Sequence, residues 1–142
     1  MIDQLTVFLE NSEGRLASMC RCLADAQINM SALTIAETSD YGLIRVICDK
    51  PAEAREALEA NGFRATVTKV SAIEVPNRPG GLADLLAVLD EMVLNIEYGY
   101  CFSLKGETAV DVFKIRGAAE QAAAVFKLEE AGFKVLTSDD LK

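Results

Sequence analysis

Two short stretches hold the residues best suited to chemistry, Asn11-Ser12-Glu13-Gly14-Arg15-Leu16-Ala17 and Asn77-Arg78-Pro79-Gly80-Gly81-Leu82-Ala83. They lie 66 positions apart, with Asn, Gly, Leu and Ala at the same relative places. The chemistry they suit is binding rather than bond-making. Each reads as a turn opening into a helix, whose first N–H groups lack an intrahelical acceptor and carry partial positive charge. A glycine there lets a ligand approach without meeting a Cβ. Bare amides and glycine together form an anion cradle. The plainer readings are that Gly14 and Gly80 are turn glycines, and that Asn11 and Asn77 only cap their helices.

The same offset runs through the elements that must hold these turns. Leu23-Ala24-Asp25 answers Leu89-Asp90-Glu91, and Ile28-Asn29-Met30 answers Leu94-Asn95-Ile96. A repeat of this kind decides the architecture. The β-rich run 5–9 predicts a strand. After the first turn, Leu16, Met19, Cys20 and Leu23 predict a helix with one apolar stripe, ending at Asn29. Strands follow over 30–36 and 43–48, joined by the polar turn 37–42. Pro51 suits the first position of a second helix, with Ala54, Ala57 and Leu58 inward and Asn61-Gly62 as the stop. The run 63–67 is a fourth strand. This β-α-β-β-α-β order is the ferredoxin-like motif.

The second half repeats the order, beginning with a strand over 70–75 and almost no linker across Thr68-Lys69. Its first helix carries Leu82, Leu85, Leu86 and Leu89. Strands over 96–102 and 108–115 flank the turn 104–107. A helix over 118–131 has Ala122, Val125 and Leu128 inward, Gly132 stops it, and 133–137 closes the sheet. The tail with Asp139, Asp140 and Lys142 is expected to fray. The expectation is an α+β chain of two ferredoxin-like βαββαβ units, residues 1–69 and 70–142. Their antiparallel sheets pack side by side with helices on one face.

Composition narrows the function. Of 142 residues, 51% are hydrophobic and 25% charged, a globular balance with a core worth burying. Asp and Glu number 22 against 14 Lys and Arg, a net charge of -8, which argues against nucleic acid and anionic membrane surfaces. No apolar run approaches ~18 residues and no targeting segment is visible, so the expected address is the cytoplasm. Cys20 and Cys22 sit two apart on a helix and point to different faces, a poor geometry for one metal. Cys48 and Cys101 fall in strands and are expected to be small buried hydrophobes. No metal or cofactor is expected.

The duplicated Asn-x-x-Gly turn, the Asn at the start of each second strand and the doubled βαββαβ order resemble tandem ACT domains. The resemblance covers essentially the whole chain. Asn77-Arg78-Pro79-Gly80 matches the family's turn well, whereas Asn11-Ser12-Glu13-Gly14 lacks the proline. The family favours Gly two residues before the strand Asn, where this chain has Gln27 and Val93. The resemblance implies a non-catalytic sensor of a free amino acid, its α-carboxylate on the turn amides and its ammonium on carbonyls or asparagine oxygens. The implied first site is Asn11, Ser12, Glu13, Gly14, Arg15 and Leu16, with Asn29, Met30 and Ser31. The implied second is Asn77, Arg78, Pro79, Gly80, Gly81 and Leu82, with Asn95 and Ile96. In the family such a turn faces a strand of another domain, and homodimers are the habit. Arg15 against Gly81 makes the two sites chemically unequal.

Two rivals stand beside the sensor. One is an interaction module that docks an enzyme of amino-acid metabolism and uses no ligand. The other is a small ferredoxin-like enzyme, since this fold hosts many activities. The chain has no His, so the commonest acid–base residue and any Ser-His or Cys-His pair are missing.

Overall fold

The computed structural model describes residues 1–10, 12–37 and 41–141. Asn11, the middle of the predicted turn 37–42 and Lys142 lie outside the described residues. The elements run β1 (Ile2–Glu10), α1 (Arg15–Asp25), β2 (Met30–Glu37), β3 (Tyr41–Cys48), α2 (Pro51–Ala60) and β4 (Arg64–Pro76). They continue with α3 (Gly81–Asp90), β5 (Ile96–Lys105), β6 (Thr108–Ile115), α4 (Ala118–Glu130) and β7 (Lys134–Val135). A 3-10 turn over Ser138–Leu141 follows. The order is β-α-β-β-α-β twice, as the sequence predicts. One junction differs. The strands expected over 63–67 and 70–75 are a single strand, β4, because the β-branched run through Thr66, Val67, Thr68 and Val70 gives the chain no reason to break.

The chain divides into two compact units. The first comprises Asp3–Thr68 together with Leu141, and the second Lys69–Asp140 together with Met1–Ile2. In the first unit β1 and β2 both pair antiparallel with β3, with Val7 opposite Ile44 and Ile35 opposite Ile44. Leu5, Val7, Leu9, Ile44, Val46 and Cys48 point to one face, where Met19 and Leu23 of α1 and Ala54 and Leu58 of α2 meet them. Strand alternation and a helical stripe thus close one core. In the second unit the strand order is β5-β6-β4-β7, again antiparallel, with Ile73 opposite both Asp111 and Val135. Its core joins Ile73, Val75, Phe113 and Ile115 to Leu85, Leu89, Ala124 and Leu128.

Several expectations need correction. Helix α1 stops at Asp25, not Asn29, because Gln27 turns left-handed at φ 60° and its N–H reaches back to the carbonyl of Ala24. In α4 the inward face is Gln121, Ala124 and Leu128, and Ala122 is exposed. A buried glutamine shifts the phase: Gln121 Oε1 accepts from the N–H of Ile115, and its Nε2 donates to the carbonyl of Lys69. Leu16 and Leu82 do not join the cores and are 37% and 44% exposed. The tail is organised up to Asp140, whose carboxylate accepts from the N–H and Oγ1 of Thr137. Cys48 is buried and its thiol is pushed up to about 11 by burial, but Cys101 is exposed, since β5 ends the β5-β6-β4-β7 order. Among the described residues no group of side chains could hold a metal ion, and no helix is long and apolar enough to cross a membrane.

Candidate functional site

Both turns share one backbone. The N–H of Ser12 donates to the carbonyl of Glu10, and the N–H of Arg78, 66 positions on, donates to the carbonyl of Pro76. The caps of α1 and α3 are Gly14 and Gly80, both left-handed at φ 79° and 89°, with no side-chain cap. A Cβ is disfavoured in that conformation, so glycine is demanded by the backbone whatever else it does. The capping role considered for Asn77 is therefore not what it does. Its N–H donates to the carbonyl of Glu107 and its Nδ2 to that of Gly106, tying the turn to the β5–β6 hairpin.

The second turn is filled by its own groups. A Cβ on Gly81 would run into the carbonyl oxygen of Pro76, so the backbone closes tightly there. Arg78 bends over the helix start, with Nη1 3.1 Å from the carbonyl of Pro79 and Nη2 3.0 Å from Asp84 Oδ2. What remains is a shallow recess lined by Pro76, Asn77, Arg78, Glu107 and Thr108.

The first turn is open. Arg15 follows the cap, its guanidinium carbon 4.4 Å from the centre of the Phe63 ring. Its Nε is buried and has no hydrogen-bond partner among the described residues. It borders a cleft of about 450 Å³ lined by Phe8, Leu9, Glu10, Tyr41, Gly62 and Arg64. It also borders a smaller one of about 270 Å³, with Ser12, Leu16, Ile35, Gly42 and Ile44. The guanidinium carbon of Arg64 lies 5.5 Å from the Phe8 ring. A guanidinium held on an aromatic face is fixed in place while its N–H edge stays available.

The predicted residues thus fall into two groups. Ser12, Arg15 and Leu16 line a cleft, and Glu13 and Gly14 are exposed beside it. Asn29, Met30 and Ser31 lie at the other end of the unit's sheet, where Met30 pairs with Cys48 while Glu10 pairs with Tyr41. The length of β2, roughly 25 Å at the usual strand rise, keeps them from the turn of their own unit. Asn29 is engaged there, its N–H donating to Asp49 Oδ1 and its carbonyl accepting from the N–H of Asp49. Asn95 behaves alike, its carbonyl accepting from the N–H of Arg116, and Ile96 pairs with Ile115.

Phe8, Glu10, Tyr41, Gly62 and Arg64 are additions that spacing could not reveal, since the fold draws them from β1, β3, the α2–β4 turn and the start of β4. Asp111 is another. It is buried, its Oδ2 has no partner among the described residues, and burial raises its pKa. Strand register puts it opposite Ile73, where the first unit puts Ile44 opposite Val7.

A model of the ACT domain pair family matches residues 1–141. The chain belongs to that family. Among solved structures, this ACT domain pair is similar to protein BT0572 from Bacteroides thetaiotaomicron, with 37% identity and a TM-score of 0.90. That match covers 99% of this chain and 94% of the other. The regulatory subunit of aspartate kinase from Thermus thermophilus, in a ligand-free form, shares the fold at 20% identity and a TM-score of 0.65. Coverage there is 92% of each chain. The corresponding subunit from Thermus flavus gives 19% and 0.60, covering 91% of each. Among curated proteins none matches significantly.

Proposed function

We propose that this ACT domain pair is a non-catalytic regulatory protein that senses a free amino acid. The ligand sits at the turn opening α1, within reach of Ser12, Glu13, Gly14, Arg15 and Leu16. The observation that carries this reading is the first turn, where a half-buried guanidinium whose Nε has no hydrogen-bond partner among the described residues stands beside a helix start that no described side chain caps. The likeness in fold to regulatory subunits of aspartate kinase supports a role in controlling an enzyme of amino-acid metabolism. The protein acts in the cytoplasm as a homodimer. There, strand starts bearing Asn29, Met30 and Ser31, or Asn95 and Ile96, come to such a turn from a second copy.

The test is a thermal-shift screen of the full chain against the twenty amino acids. A ligand at a hundred times its dissociation constant adds about 2.7 kcal/mol to stability. The expected outcome is a shift with one or a few amino acids that Arg15→Ala abolishes and Arg55→Gln, on α2, leaves intact. No shift with any of them would sink the reading.

A further inference from the structure

Resting on the first turn being an amino-acid site, we infer that its ligand is an acidic α-amino acid, aspartate or glutamate, clasped between Arg15 and Arg64. The cleft of about 450 Å³ lies where β1 ends and β4 begins. Leu9 and Ala65 point into the helix-covered core, so strand alternation sets Phe8 and Arg64 on the other face of the sheet. Arg15 reaches the cleft from the helix side, stacked on Phe63, and Arg64 from the opposite side, stacked on Phe8. Neither forms an ion pair among the described residues. Partners are plentiful, with 22 acidic residues in the chain, and Arg55, Arg78 and Arg116 each have one.

The counterpart in the second unit shows what these two arginines forgo. Gly62-Phe63-Arg64 is answered by Gly132-Phe133-Lys134, and Phe8 by Glu74. There Lys134 faces Glu74 across β4 and β7 and pairs with both Glu74, at 3.9 Å, and Asp140, at 3.3 Å. The second unit satisfies its cation internally, while the first replaces the carboxylate with a ring and leaves two cations facing a cleft.

A guanidinium fork matches a carboxylate. Two forks arriving from opposite faces are matched by a ligand with two carboxylates. The α-carboxylate takes the α1 amides and Arg15, and the side-chain carboxylate takes Arg64. Glu10, at the cleft wall, faces the α-ammonium. The lining carries two positive charges and one negative, complementary to an acidic amino acid and mismatched to a basic one.

Isothermal titration calorimetry of the full chain with L-glutamate, L-glutamine, L-aspartate and L-asparagine tests this. One acid should bind at least about tenfold tighter than its amide, the size of one lost charge-assisted hydrogen bond. Arg64→Gln should erase that preference without moving the melting temperature, while Arg55→Gln keeps it. Tighter binding of a neutral or basic amino acid, or an acid preference that survives Arg64→Gln, would overturn the inference and leave the amino-acid reading standing. Silence with all twenty amino acids would remove both.

Discussion

The turn into α1 and the turn into α3 carry the same backbone and opposite chemistry. Both are capped by a left-handed glycine, and both fold back through one carbonyl hydrogen bond two residues before. In the second, Asn77 is taken by the β5–β6 hairpin and Arg78 by Asp84 and Pro79, and elsewhere in that unit Lys134 is taken by Glu74 and Asp140. In the first, Arg15 and Arg64 rest on rings and face open clefts. The difference teaches that duplication preserves the helix start while a few side chains decide whether the surroundings stay open or are filled.

The comparison can be broken or sharpened by mutation, and the largest effects test what the units share. Leu23 and Leu89 occupy matching places on α1 and α3 and are both buried. Leu23→Ala and Leu89→Ala should each cost about 3 kcal/mol in denaturant unfolding. A much smaller cost in one unit would mean that the two cores are not equivalent. Next comes the exchange of the residues after the caps. Gly81→Arg drives a Cβ into the carbonyl of Pro76 and should cost about 2 kcal/mol. The reverse change, Arg15→Gly, should cost only about 1 kcal/mol, the usual penalty of glycine in a helix, yet abolish the ligand-induced thermal shift.

Asp111 stands where the first unit has Ile44, and Asp111→Asn should stabilise the protein by about 1 kcal/mol at neutral pH. The sign follows from linkage. Burial raises the folded pKa above the ordinary 3.8, so folding favours the protonated acid and the penalty exists only where the carboxylate is charged. Thermal melts against pH should show the advantage of Asn fading as pH falls toward 3.8. The smallest effect belongs to Arg78→Gln. Its exposed pair with Asp84 should be worth ~0.5 kcal/mol, and less at high salt.

Much of the fold was legible in the chain because local rules and the repeat agreed. Leu5, Val7 and Leu9 alternate, Met19 and Leu23 recur at helical spacing, and Pro51 and Gly62 bracket α2, so strands and helices declare themselves. The misreadings have physical causes. Ala122 was given the inward place that Gln121 takes, because a glutamine goes inside only where partners meet it, and here three hydrogen-bonding groups do. Cys101 looked like a core strand residue, but β5 has a neighbour on one side only, β6. The two turns were legible from spacing, and strand register sets Asn29 and Asn95 away from the turn of their own unit.

The amino-acid order alone determined the doubled βαββαβ plan and the two glycine-capped helix starts, because periodicity and left-handed turns are short-range properties of the chain. Only the tertiary structure decided that Arg64 and Phe8 line the cleft beside the first turn while Lys134 and Glu74 pair with each other in the second unit. Residues more than 50 positions apart become neighbours through strand pairing and helix packing, and no local pattern encodes which charges will then meet a partner.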